Sequence, residues 1–206
     1  FEEGDPHRTY TQTMIKEIDR LNGVVSNLLE FANPDTDKAG PCQLNELVAQ
    51  ALTLASVTSK DIQLEQQLAN DLPPVWGEKR QLVQVLLNLL QNAGQAVQPP
   101  GQIRISTHRL ISKDSGDEQV QVRVANSGPP LDPAIQSRMF DPFFTTKKDG
   151  TGLGLAITSQ IVNAHRGTIY VEHENGMTTF CVELPVNPKS TVDSASTARK
   201  PQEVMS

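Results

Sequence analysis

Apolar positions recur along this chain with two periods, and the breaks between them mark its turns. Within His7–Ala32, Met14, Ile18, Leu21, Val25, Leu28 and Ala32 are spaced by 4, 3, 4, 3 and 4 residues. That is the seam of a helix built to pack on other helices. Val24, Leu29 and Phe31 widen the seam enough for a bundle, and Lys16, Glu17, Asp19 and Arg20 occupy the opposite side. Pro34 stops the helix, and DTDKAGP reads as a linker. The stripe must be covered by its own domain or by partner helices, and the linker favours partners. A second helix is expected from Leu44, with Asn45 as N-cap and Leu47, Val48, Ala51, Leu52 and Ala55 as its buried side. The densest helical pattern is Arg80–Val97, where Leu82, Val85, Leu86, Leu89, Ala93 and Ala96 share one face and Pro99-Pro100 ends the run.

Strict alternation, the other period, predicts strands at Ile62–Leu68, Gln102–Leu110, Gln119–Ala125, Thr168–His173 and Thr178–Leu184. Pro73, Pro74 and Gly77 read as a turn, and Ser112–Asp117 as a hairpin loop. Beyond Pro188 the Ser/Thr/Ala-rich tail has no period and is expected to be disordered. About three helices and five strands in the main domain predict an α/β fold, a two-layer sandwich. The expected division is residues 1–34, 35–188 and a tail over 189–206.

Composition narrows the partners. A net charge of −6 and a pI near 5.2 argue against nucleic acid. The two cysteines, Cys42 and Cys181, lie far apart without metal-site spacing and read as free thiols in a reducing compartment. No apolar run is long enough to span a bilayer, so a soluble, cytoplasmic module is expected, with any membrane attachment supplied by upstream segments.

Candidate chemistry gathers in two places. Gly150, Gly152 and Gly154 are spaced G-x-G-x-G around Thr151 and Leu153, just ahead of an apolar helical run. Such a turn is either a plain helix start or a phosphate cradle of exposed backbone N–H groups. Asn88 and Asn92 lie four residues apart on one face of an otherwise apolar helix. They are either satisfied amides or ligands of a metal–phosphate group, and a single Asn carbonyl suits Mg²⁺, which keeps waters and substrate phosphates as its other ligands.

Together these segments resemble an ordered set of boxes. QVLLNLLQNAGQAV resembles the N box, NSGPPL the G1 box, MFDPFFTTK the F box and DGTGLGLAI the G2 box of the sensor histidine kinases, relatives of gyrase B, Hsp90 and MutL. GTIYVEHENGMTTFCVELP resembles the closing hairpin of that ATP-binding domain, and KEIDRLNGVVSNLLEFANP the second helix of the dimerisation and phosphotransfer domain. The similarity runs from about residue 10 to 187 and is greatest to sensors of nitrogen regulation, acetoacetate and zinc tolerance.

The resemblance implies a Bergerat-type fold with a mixed sheet, ATP and Mg²⁺ as cofactors, and a response regulator and a second copy of the parent protein as partners. It implies that Asn92 is the metal ligand, that Asn88 sits beside the phosphates, and that Asn126 receives the adenine amino group. Gly128 would admit the base, with Thr179 supporting that corner through its hydroxyl. Phe140, Phe143 and Phe144 would anchor a lid, from which Lys147 reaches a phosphate while Lys148 stays solvated. Gly150, Thr151, Gly152, Leu153 and Gly154 would supply the hinge and N–H groups.

Two departures stand out. Asn126 takes the place of the family's usual Asp, keeping an acceptor but losing its charge, so ATP binding is expected to persist in weakened form. None of His7, His108, His165 and His173 has the setting of the phosphoacceptor, although His173-Glu174 imitates its first two letters. The acceptor is therefore expected on a helix preceding this chain. Hydrolytic relatives carry a general-base Glu where this chain has Asn88, which disfavours hydrolysis and favours phosphoryl transfer. A nucleotide-sensing or dimerisation module with degenerate kinase activity is the alternative.

Overall fold

The computed structural model describes residues 39–55, 61–112, 116–147 and 150–186. The helix expected over residues 7–32, Lys148 and the tail over 189–206 lie outside the described residues. Among these described residues, seven strands and four helices follow in order: β1 (Gly40–Cys42), α1 (Leu44–Ala55), β2 (Ile62–Gln67), β3 (Val75–Gly77), α2 (Lys79–Ala96), β4 (Gly101–Ile111), β5 (Glu118–Ser127), α3 (Pro133–Gln136), α4 (Gly154–Ala164), β6 (Thr168–Glu174) and β7 (Met177–Pro185).

The five strands expected from alternation form one mixed sheet in the order β2-β4-β5-β7-β6, in which only the β2–β4 pair is parallel. Alternation also explains its two faces. On β5, Val120, Val122 and Val124 are buried beneath the helices. Between them, Gln121 donates to Tyr170 and Glu183, and Arg123 pairs with Glu172 at 2.9 Å. One layer is thus an apolar core, and the far side of the sheet is a polar lattice of cross-strand pairs. The core is completed by α1 and α2, where Leu47, Val48, Leu86, Leu89 and Leu90 are almost entirely buried. This is the two-layer α/β sandwich that the periodicity predicts.

Two local expectations are corrected. Asn45 does not cap α1: the Gln43 carbonyl accepts from the N–H groups of Glu46 and Leu47. The Asn45 amide instead donates to the Ala69 carbonyl at 2.8 Å and accepts from the Thr107 hydroxyl at 2.9 Å, so its side chain ties the helix to the sheet. Gly77 is not a turn residue but the end of β3, which pairs antiparallel with β1 in a separate two-stranded sheet. A Cβ there would lie 2.5 Å from the His165 ring. That ring accepts from the Glu78 N–H at Nε2 (3.0 Å) and donates from Nδ1 to the Ile161 carbonyl (2.8 Å), joining the start of α2 to the end of α4.

Candidate functional site

A cleft of about 700 Å³ opens where α2, the ends of β5 and β7, and the segments 128–147 and 150–155 converge. The long helix provides its floor. Glu78 caps α2 through both carboxylate oxygens, accepting from the Arg80 and Gln81 N–H groups, and the apolar face then holds the helix against the sheet. Asn88, Gln91, Asn92 and Gln95 face the cleft from this helix.

The two α2 asparagines have different surroundings. Asn88 is 8% exposed; its Nδ2 donates to the Gly154 carbonyl (3.1 Å) and toward Thr158 Oγ1 (3.3 Å), while its Oδ1 accepts from Gln84 (3.2 Å). It is a satisfied amide that holds the first turn of α4. Asn92 has no such anchor. Among the described residues its Oδ1 accepts only from the Lys147 ammonium, at 2.9 Å, and the same ammonium donates to Gln95 Oε1 at 2.5 Å. Lys147 is an exposed residue whose charged end rests on α2, and desolvation there lowers its pKa.

The glycine segment closes the cleft opposite. Gly152 has φ +67°, and a Cβ there would fall on the Phe143 backbone. Phe143, itself at φ 66°, donates its N–H to the Gly152 carbonyl at 2.9 Å. The two positive-φ residues thus cross at one point, and only a glycine permits so close an approach. Beyond the crossing, α4 begins at Gly154 with no side-chain cap at Leu153. Its first N–H groups therefore lack an intrahelical partner at the mouth of the cleft, an arrangement suited to an anion. Thr151 turns its hydroxyl to the Leu153 N–H at 3.3 Å. Leu153 itself is 2% exposed and belongs to the core rather than to the cleft wall. Phe140 packs against that core, Phe144 lines the cleft beneath the Arg138 guanidinium at 4.7 Å, and the Phe143 ring is 69% exposed.

At the strand end, Asn126 is 4% exposed and lines the cleft beside Gly128. Across the ladder it faces Thr178, whereas Thr179 faces Ala125 and so points to the other side of the sheet. Of the two neighbouring threonines, it is Thr178 that lines the cleft, which moves the expected hydroxyl one residue along the strand. The Thr178 hydroxyl meets His173 Nδ1 at 3.0 Å and approaches the Pro129 carbonyl at 3.5 Å. Reading β7 for parity against Asn126 would have identified it. Gln95, three residues beyond Asn92 on the same helix, also lines the cleft and accepts from Lys147.

The family model for histidine kinase-, DNA gyrase B- and HSP90-like ATPases matches residues 77–188. The chain belongs to this family. Among its relatives, the signal transduction histidine-protein kinase AtoS of Escherichia coli (strain K12) is 40% identical over 189 residues, covering 90% of this chain but 30% of AtoS. The nucleotide-free catalytic domain of histidine kinase ThkA superposes with a TM-score of 0.66 at 33% identity, covering 74% of this chain and 99% of that one. ThkA in complex with the response regulator protein TrrA gives a TM-score of 0.71 at 28% identity, covering 91% of this chain and 54% of that one. The chain therefore contains a histidine kinase ATPase catalytic domain, and it spans less than a third of the length of AtoS. Among the described residues, no helix is long and apolar enough to cross a membrane.

Proposed function

We propose that this cleft binds ATP with Mg²⁺ and presents the γ-phosphate to a histidine outside the chain, within a sensor kinase that then phosphorylates an aspartate of a response regulator. The observation that carries this reading is the pairing of an unanchored Asn92 oxygen with the uncapped start of α4 across one cleft. The base would lie at Asn126 and Thr178, and the phosphates between α2 and the α4 N-terminus.

The metal fits this donor set. Asn92 Oδ1 already holds a cationic group, the Lys147 ammonium, and no cluster of three acidic, His or Cys ligands occurs among the described residues. One neutral oxygen suits a Mg²⁺ ion held chiefly by phosphates and water. When bound, the ion would neutralise charge developing on the transferred group. Lys147 would leave Asn92 for a phosphate oxygen, Phe143–Gly152 would keep the lid base in place, and the α4 N–H groups would orient the chain of phosphates. In the transfer, the bond from the γ-phosphorus to the β,γ-bridging oxygen breaks as a P–N bond forms on the acceptor imidazole. ADP leaves, and the ring gives up its N–H proton. The position of the hydrolytic base is neutral here, because Asn88 is an amide committed to Gly154, Thr158 and Gln84.

Residues 1–34 would contribute to a dimerisation bundle in the full-length parent, and any membrane link would come from its other segments. Labelled ATP and Mg²⁺ should leave the chain itself unlabelled and should label a separately supplied helical hairpin that carries the acceptor histidine. Binding without transfer would favour the nucleotide-sensing alternative, and a stable phosphohistidine on this chain would refute the assignment of the acceptor.

A further inference from the structure

We propose that Asn126 makes this site accept 6-oxopurine triphosphates, such as inosine and guanosine triphosphate, nearly as well as ATP. The inference rests on the reading that the cleft holds a purine nucleotide with its base at Asn126, and adds to it the class of base selected.

The argument starts from what holds the Asn126 amide. It is 4% exposed and lines the cleft, and its one hydrogen bond among the described residues is a long donation from Nδ2 to the Ser127 carbonyl at 3.3 Å. From those residues its Oδ1 receives none. Among the described residues the cleft wall offers a single carboxylate, Asp132, and that group caps α3, accepting from the Ala134 N–H at 2.8 Å. The facing hydroxyl of Thr178 can donate or accept, and its partners, His173 Nδ1 and the Pro129 carbonyl, leave both options open.

A buried carboxylate only accepts. It suits the adenine 6-amino group and repels the 6-oxo oxygen of hypoxanthine or guanine. An amide has an acceptor and a donor side by side. In one orientation Oδ1 accepts from the adenine amino group while Nδ2 donates to N1. Rotated by half a turn, Nδ2 donates to the 6-oxo oxygen while Oδ1 accepts from the N1–H. At N1 and the C6 substituent both bases are therefore matched, and polar atoms left unpaired there are the source of strong discrimination at hydrogen-bonding sites. The rotation gives up one long contact to Ser127 and, among the described residues, breaks no other side-chain hydrogen bond of Asn126.

Calorimetric titration of the 206-residue chain with the Mg²⁺ complexes of ATP, ITP and GTP tests this, with Asn126→Asp titrated alongside and CTP as the non-purine control. ITP is the decisive ligand, since it differs from ATP only at the N1/C6 edge. The expected result is an ITP-to-ATP ratio of dissociation constants within about tenfold for the natural chain, widening by about tenfold or more in N126D as a charged acceptor strengthens one ligand and opposes the other. If ATP binds and ITP is weaker by about a hundredfold or more in the natural chain, the relaxed selectivity is overturned while the nucleotide site stands. An unchanged ratio in folded N126D also overturns it, and if N126D does not fold, the ratio in the natural chain decides. If no purine triphosphate binds, both this inference and the nucleotide reading fall.

Discussion

Asn88 and Asn92 share a helix, a face and a side chain, yet only one of them is available to a ligand. Asn88 lies under the start of α4 and spends its amide on Gly154, Thr158 and Gln84. Asn92 sits one turn further along, past the end of that contact, and among the described residues its oxygen meets only Lys147. The difference teaches that a polar residue on a buried helical face is assigned by what the neighbouring element brings to it. Where α4 covers the face, the amide is structural; where the face opens into the cleft, it is free for chemistry.

Four substitutions would break or sharpen that contrast. The largest functional effect is expected at Asn92→Ala, which should lower Mg²⁺-dependent ATP affinity about 10–100-fold, the range seen when support of a metal site is lost, and leave the urea midpoint nearly unchanged. ATP titrations with magnesium and with a chelator measure the difference; equal Mg²⁺ dependence in the variant would end the metal assignment. Asn88→Ala should do the reverse. Removing its three contacts leaves the Thr158–Gly154 pair (2.8 Å) alone at the helix start and should cost about 1–3 kcal/mol in urea unfolding, with Mg²⁺ dependence retained by the folded fraction. A stable variant that loses only nucleotide affinity would reverse the roles given to the two residues.

Lys147→Met is expected to be milder. Stability should change by less than about 0.5 kcal/mol, because an exposed residue loses only its two contacts to the Asn92 and Gln95 amide oxygens. ATP affinity should fall about tenfold, or about 1.4 kcal/mol, as a phosphate loses its cation. Affinity that rises instead would mean that the Lys147–Asn92 contact chiefly obstructs the metal. The smallest effect serves as a control on the far side of the sheet. Burial pushes the Cys181 thiol up to about 12 from its ordinary 9.0. The unfolded chain therefore releases this proton first, and the stability that the neutral thiol provides is complete below pH 9.0 and lost as pH rises toward 12. Cys181→Ala should flatten part of that alkaline loss in denaturant titrations and leave ATP affinity unaltered. A change in affinity would show that the outer lattice communicates with the cleft.

The contrast between the asparagines also marks how far the sequence could be read. Every strand of the main sheet is visible as alternation, because one face packs an apolar core and the other carries mostly polar cross-strand pairs. Likewise α2 is visible because its apolar stripe repeats along the whole helix. The small sheet of β1 and β3 is not: three-residue strands carry no period, and Gly77 looks like a turn until His165 is placed against it. Asn45 looks like a cap because Asn favours that position, but Thr107, 62 residues away, claims its side chain. Thr178 and Thr179 are indistinguishable by type, and the register against Asn126 separates them.

Sequence by itself determined the fold class, the family and the segments that make the cleft, since periodicity and ordered motifs are local properties of the chain. Tertiary structure alone decided which polar groups remain free within those segments. It gave Asn88 to α4, left Asn92 facing Lys147, turned Thr178 rather than Thr179 into the cleft, and held the Asn126 amide, among the described residues, by one long bond. Whether a buried donor or acceptor is satisfied depends on partners distant in sequence, and no local pattern encodes that.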